Sequence, residues 1–185
     1  MRRLAVVIIC IFLLVGCGGT DGTEKAIDIR NRLLSGGGCE FLATVTADYG
    51  KKLYSFSMIC KADDIGNLTF SVLSPETIAG ITGTVNSVGG ELTFDNKALA
   101  FPVLADGQIS PVSAPWFFLT ALRSGYMKAC ELTEDGLHMI VNDSYAQDVI
   151  QVDIYTNSEL LPVRADLLWQ GRRIVSLDIE NYKHL

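Results

Sequence analysis

Histidine is nearly missing from this sequence: 185 residues contain two, His138 and His184. His138 stands between Leu137 and Met139 in an alternating stretch, where a solvent-facing or hydrogen-bonded imidazole is the ordinary outcome. His184 is the penultimate residue, where fraying is expected. No C-x-x-C or Cys/His metal spacing occurs, and no G-x-S-x-G, H-E-x-x-H, P-loop or dinucleotide glycine pattern. The pairs Asp63-Asp64 and Glu134-Asp135 look like loop tips rather than an acid/base couple. The expectation is a protein without catalytic residues, metal or cofactor. Positive charge is short as well: 15 Lys+Arg against 21 Asp+Glu gives −6, a surface that repels phosphate backbones and argues against nucleic acid as a partner. With only 19% charged and 49% hydrophobic residues, the chain is not a solvated tail; it can bury one sizeable core.

Long apolar runs are equally scarce. The one that stands out, residues 4–15, follows Arg2 and Arg3 and is shorter than the roughly 20 residues a bilayer span takes, which is the layout of a secretory signal. It ends in Leu14-Val15-Gly16-Cys17, which resembles the lipobox of bacterial lipoproteins, where small residues let the chain enter a peptidase cleft and the cysteine is diacylated on sulfur. The other reading is an ordinary secretory signal with a chance cysteine. On the lipobox reading, residues 1–16 are a signal peptide, Cys17 carries lipid, 17–23 form a flexible tether and 24–185 a single domain. Acyl burial worth about 0.8 kcal/mol per CH₂ makes that attachment permanent. The protein then sits outside the cytoplasm, on the outer face of the cell membrane or, in a two-membrane host, on the outer membrane; Gly18 is no acidic retention signal.

With Cys10 in the signal and Cys17 lipidated, Cys39, Cys60 and Cys130 remain. Residues 39–47 alternate as a strand with Phe41, Ala43, Val45 and Ala47 on one face, and a second strand puts Tyr54, Phe56, Met58 and Cys60 on one face. A two-residue Tyr49-Gly50 loop pairs Phe41 with Met58 and sets Cys39 opposite Cys60, at a spacing that suits a cross-strand disulfide. A four-residue turn keeps the same faces but separates the cysteines, leaving two buried thiols. Cys130 reads as a core residue.

Residues 24–35 carry Ile27, Leu33 and Leu34 among charges and stop at Gly36-Gly37-Gly38, the pattern of an amphipathic helix. Turn residues then punctuate a long antiparallel meander that continues through residues 127–133, 137–142, 149–155, 161–169 and 174–182. Residues 113–125 interrupt it with a helix that is apolar nearly all round, with Ser113 as N-cap, Pro115 in the first turn and Gly125 as the stop. Such a helix must be covered, so the sheet is expected to curl around it. The fold class is mainly β (α+β): a curved antiparallel sheet, an unclosed β-barrel with lid helices. An incomplete curl leaves a greasy cleft suited to acyl chains, for which Phe41, Phe56, Met58, Phe70, Val72, Trp116, Phe117, Phe118 and Leu119 are the candidate lining; the same side chains could instead fill the core.

The layout of lipobox, N-terminal helix, meander and inserted apolar helix resembles the LolA/LolB-like lipoprotein carriers. Within that group, Leu73-Ser74-Pro75-Glu76-Thr77-Ile78-Ala79-Gly80-Ile81 and Pro111-Val112-Ser113-Ala114-Pro115 are similar to segments of lipoproteins from spore-forming bacteria, including a germination lipoprotein that assists a cortex amidase. The resemblance implies a hydrophobic cavity under a helical lid and a buried arginine that holds the lid closed, with Arg164 and Arg173 as candidates. It also implies either an acyl chain or lipoprotein as cargo, or an envelope enzyme bound to the sheet edge or surface.

Overall fold

The computed structural model describes residues 20–105, 108–145 and 149–185; the expected signal peptide and Cys17 lie outside them. Helix α1 spans Thr20–Ser35. Ala26, Ile29 and Leu33 are buried at helical spacing, whereas Ile27 and Leu34 are about half exposed. Of the apolar set expected to face the core, only Leu33 does so, because the stripe runs through the smaller Ala26.

The strands are β1 Gly38–Asp48, β2 Leu53–Asp63, β3 Leu68–Ser74, β4 Thr82–Val85, β5 Gly90–Phe94, β6 Lys97–Phe101, β7 Leu104–Ala105, β8 Gln108–Ile109, β9 Tyr126–Leu132, β10 Leu137–Asn142, β11 Ile150–Thr156, β12 Pro162–Trp169 and β13 Arg172–His184. Apart from the small β7–β8 ribbon, they form one antiparallel sheet in the order β6-β5-β4-β3-β2-β1-β13-β12-β11-β10-β9. Two meanders therefore meet where the first and last strands pair. The two edges, β6 and β9, do not pair with each other, so the sheet stays open. Asp95 and Asn96, both at positive φ, make the two-residue turn between β5 and β6, the conformation such hairpins favour and these residue types tolerate.

The β1–β2 register is the one set by the longer turn. Asp48 faces Leu53, Phe41 faces Cys60 and Cys39 faces Ala62, so the expected Cys39–Cys60 bridge does not form and both thiols are free and buried. The turn is held open by Asp48, whose carboxylate accepts the Gly50 N–H at 2.7 Å and meets Arg172 of β13 at 3.4 Å. His184 does not fray: it pairs with Cys39, and Leu185 both donates to Gly38 and accepts from Gly37.

A 3₁₀ turn, Pro111–Ser113, runs directly into helix α2, Ala114–Ser124. Ser113 is already helical, so its hydroxyl makes no cap bond and is buried without a hydrogen-bond partner among the described residues. The expected side-chain cap is therefore absent, although Ser113 holds the N-cap position. Gly125 ends α2 in an extended conformation; a Cβ there would lie 2.4 Å from Val141 Cγ1 and 2.7 Å from the Ala121 carbonyl, so close approach rather than backbone handedness requires glycine.

Both helices pack on the same face of the sheet, α1 against β9 and β10, α2 against β10 to β13. Under them lies one apolar core in which Phe41 meets the edge of Phe118 and stacks on Tyr182, each at 5.8 Å between ring centroids. No helix among the described residues is long and apolar enough to cross a membrane.

Candidate functional site

A cleft of about 700 Å³ opens at one end of the sheet, lined by Tyr49, Lys51, Lys52, Tyr54, Phe56, Ile78, Pro111 and Val112. Its walls come from segments far apart in the chain: the β1–β2 turn, the start of β2, the loop after β3, and the 3₁₀ turn that leads into α2. The loop after β3 is pinned down by backbone bonds, with Val72 N–H donating to Ile81 and Gly80 N–H to Val72 at 2.8 and 3.0 Å, which fixes Ile78. The opposite wall is fixed by Tyr49, whose hydroxyl donates to the Ile109 carbonyl and whose ring meets Tyr54 at 6.1 Å. Burial, with Tyr54 beside it, pushes the Tyr49 phenol up to about 12, so it is a neutral wall at physiological pH. Apolar side chains make up the interior, and the charges, Lys51 and Lys52, are exposed. Among the described residues no carboxylate lines the cleft. Its volume falls within the range of about 300–1,000 Å³ typical of sites for one small ligand.

The nine side chains expected to line a cavity are placed differently. Phe41, Met58, Phe70, Val72, Phe118 and Leu119 are at most 4% exposed and fill the core with their neighbours; Phe56 and Phe117 are 7% exposed. Phe56 is the one of the nine that borders the cleft. Trp116 is half-buried at the far side of α2, where its indole N–H donates to Gly66 at 3.1 Å. Next to it Arg123 donates to the Asp64 carbonyl, so the β2–β3 turn grips the outer side of α2. Tyr49, Tyr54, Ile78, Pro111 and Val112, which line the cleft, are not among those nine. Ile78, Pro111 and Val112 lie within the two segments that carry the family resemblance, and that was their only signal.

Asp166, 7% exposed, lies on the outer face of β12 and is bridged by Arg164 at 3.1 Å, Arg173 at 3.5 Å and the Ser176 hydroxyl at 2.6 Å. His138 is half-buried on the face of β10 turned away from the core and stacks on Tyr155 with centroids 4.4 Å apart and planes 1° from parallel; among the described residues its Nε2 finds no hydrogen-bond partner. Burial raises the pKa of the Cys39, Cys60 and Cys130 thiols, the opposite of nucleophile activation. Among the described residues no cluster of His, Cys, Asp and Glu could hold a metal ion.

No family model and no curated protein sequence matches the chain. Its structure superposes on a Vibrio parahaemolyticus domain described as an outer membrane lipoprotein-sorting protein, with a TM-score of 0.51 at 8% identity, over 88% of this chain and 92% of that one. The fold is LolA-like. Looser superpositions include a LolA superfamily protein from Nitrosomonas europaea, with a TM-score of 0.45 at 10% identity over 85% and 92% of the two chains. Another is a chain of the Clostridioides difficile CwlD amidase–GerS lipoprotein complex, with a TM-score of 0.42 at 13% identity over 90% and 97%.

Within this LolA-like sheet, the arginine that ties the helices together is Arg30 of α1. Its guanidinium donates to the carbonyls of Leu122 at 2.8 Å, Ala121 at 3.3 Å and Gly125 at 2.8 Å. Ala121 and Leu122 lie in the last turn of α2 and Gly125 is its C-cap, the end of the helix where carbonyls lack the next turn's donors and the dipole is negative. Arg164 and Arg173, the sequence-level candidates, are instead occupied with Asp166 on the far side of the sheet.

Proposed function

We propose that this protein is a lipid-anchored, extracytoplasmic binding module that takes an acyl chain of a lipid or lipoprotein into the cleft beside α2. The observation that carries this reading is the cleft itself: an apolar opening of about 700 Å³, with no carboxylate among its described lining residues, at the end of a LolA-like sheet. Alkyl groups need no directional partners there, because burial alone contributes about 25 cal/mol per Å². Helix α2 is the lid, held by Arg30 from one side and by Trp116 and Arg123 from the other. The closed core beneath it, with Phe117, Phe118 and Leu119 turned inward, enlarges the site only if α2 moves. Anchoring through Cys17 makes the protein a receiver or holder of cargo rather than a shuttle, and no step of this role calls for catalysis.

The test is mass spectrometry of lipids extracted from the purified full chain carrying Cys17→Ser. Acyl lipid in near-stoichiometric amount is expected, reduced severalfold by Val112→Asp, which puts a charge against the apolar wall; a parent protein free of acyl lipid would overturn the reading. The same Cys17→Ser change should release the protein from membranes, and equal retention would refute the anchor. Arg30→Met should speed uptake of an added acyl probe by loosening the lid; an unchanged uptake rate would remove Arg30 from the role of latch.

A second reading rests on a different observation. Strand β6 is an unpaired sheet edge whose residues are exposed apart from half-buried Phe101, with Leu99 at 62%. An envelope protein could add a strand there, as the resemblance to an amidase-assisting lipoprotein implies. Pull-down by the parent but not by Leu99→Lys, with no lipid in the cleft, would favour it.

A further inference from the structure

We infer that the cleft selects an acyl chain bearing an anionic head, with Lys51 and Lys52 as the head-group contacts; this rests on the reading of the cleft as an acyl site. The protein is acidic overall, at −6, yet among the described residues the charged side chains of the cleft are these two lysines, and no acidic one lines it. Asp48, the acidic residue closest to them in sequence, is already engaged: its Oδ1 accepts the Gly50 N–H at 2.7 Å and lies 3.4 Å from Arg172. Neither lysine forms an ion pair among the described residues. Among the described residues the mouth therefore presents two ammonium groups without an ion-pair partner above an apolar interior, a local reversal of the protein's charge.

The geometry also limits how the ligand sits. Tyr49 is held by Ile109 and cannot turn outward without breaking that bond, so the wall below the lysines stays apolar and neutral. The hydrocarbon goes down between Tyr49, Tyr54, Ile78 and Val112, and the charge stays at the solvent-facing rim, where a carboxylate or phosphate keeps part of its hydration. This arrangement avoids the cost of burying an unpaired charge. The volume suits a single chain better than the multiple chains of a complete bilayer lipid. The ligand class is accordingly a single-chain anionic amphiphile, whether its charge is a fatty-acid carboxylate or a lysophospholipid phosphate.

Calorimetry on the full chain carrying Cys17→Ser, with four lauroyl-length probes, tests this. Laurate and lauroyl lysophosphatidylglycerol carry a net negative head; dodecanol and lauroyl lysophosphatidylcholine do not. Both anionic probes, or one of them, should bind about tenfold more tightly than the pair without net charge, and the member that binds identifies carboxylate or phosphate as the source. The double variant K51E/K52E should lose that preference, weakening anionic binding about tenfold while leaving dodecanol within about twofold, the scale expected of two exposed charge pairs. Dodecanol also reports that the variant is folded and its cleft intact. Added salt should shrink the preference through screening. If neither anionic probe bound more tightly than dodecanol and lauroyl lysophosphatidylcholine in the parent, or if a preference survived K51E/K52E, the head-group inference would be overturned and the acyl cleft left standing. Inorganic phosphate competing as well as laurate would overturn it too, since the chain would then contribute nothing. If none of the four bound, the acyl reading would fall together with the inference.

Discussion

Along β10 and β11 every second residue is fully buried, with Met139, Val141, Val152 and Ile154 at zero exposure, whereas β6 at the opposite edge of the same sheet shields only Phe101, and that only in part. The two regions share strand geometry and differ in cover: α1 and α2 pack over β9 to β13 and leave β4 to β6 without a helix. A sheet face becomes a core only where another layer lies on it. The helix-covered half carries the stability, and the uncovered wing and adjoining mouth leave apolar groups available for ligands. The cleft lies at the boundary, where the chain from β8 turns into α2.

The largest expected effect would test that division directly. Phe118→Ala removes a ring with no exposure from between α2 and Phe41 and should cost about 3–5 kcal/mol in urea unfolding, whereas Leu99→Ala on β6 should stay within about 0.5 kcal/mol. Similar losses in the two variants would mean that the wing and the covered half are equally integrated, and the comparison would fail.

An intermediate effect sharpens it from the other side, because the wing is not uniformly tolerant. At Gly83 on β4 an added Cβ would stand 2.4 Å from the Glu91 carbonyl oxygen and 2.6 Å from the Phe70 ring. The oxygen is main chain of the paired strand and cannot swing aside. Gly83→Ala should therefore destabilise by about 1–3 kcal/mol and, by hydrogen exchange, loosen β4 to β6 before β10 to β13. A protein unchanged by this substitution would show that the wing adjusts freely.

This contrast explains what could be read from the residues alone. Period-2 alternation and turn chemistry are local, so the strands after Asp63-Asp64, Asp95-Asn96 and Gln170-Gly171 fall where those turns place them, and the inserted helix was visible from its unbroken apolarity and Pro115. Register and closure are not local. The β1–β2 turn takes its longer form with help from Arg172, 124 residues away from Asp48, and that separates Cys39 from Cys60. The expected lining residues were the most apolar ones, and the strongest apolar side chains are drawn into the core. The cleft is bordered by moderately apolar residues on irregular segments, Ile78, Pro111 and Val112 among them, whose meeting with Tyr49 depends on tertiary packing. Arg30 escaped notice for the same reason: its partners are main-chain carbonyls about ninety residues on, which carry no side-chain signature.

The smallest effect concerns the boundary itself and turns on pH. Burial and the neighbouring Tyr54 hold the Tyr49 phenol up at about 12, above the value near 10 of a tyrosine in an unfolded chain. Between those values the folded protein retains a proton that the unfolded chain has released. The stabilisation is therefore complete below about pH 10 and is lost as pH rises toward 12. Tyr155, Tyr182 and the buried thiols are raised as well, so the parent alone cannot isolate this contribution, but its difference from Tyr49→Phe can. The variant lacks the bond to the Ile109 carbonyl and should be less stable at neutral pH by about 0.5–1.5 kcal/mol, with the gap narrowing across that alkaline window. A gap that stayed constant to pH 12 would place the Tyr49 hydroxyl in free exchange with solvent, and the wall facing Lys51 and Lys52 would then not be the fixed, neutral surface on which the cleft depends.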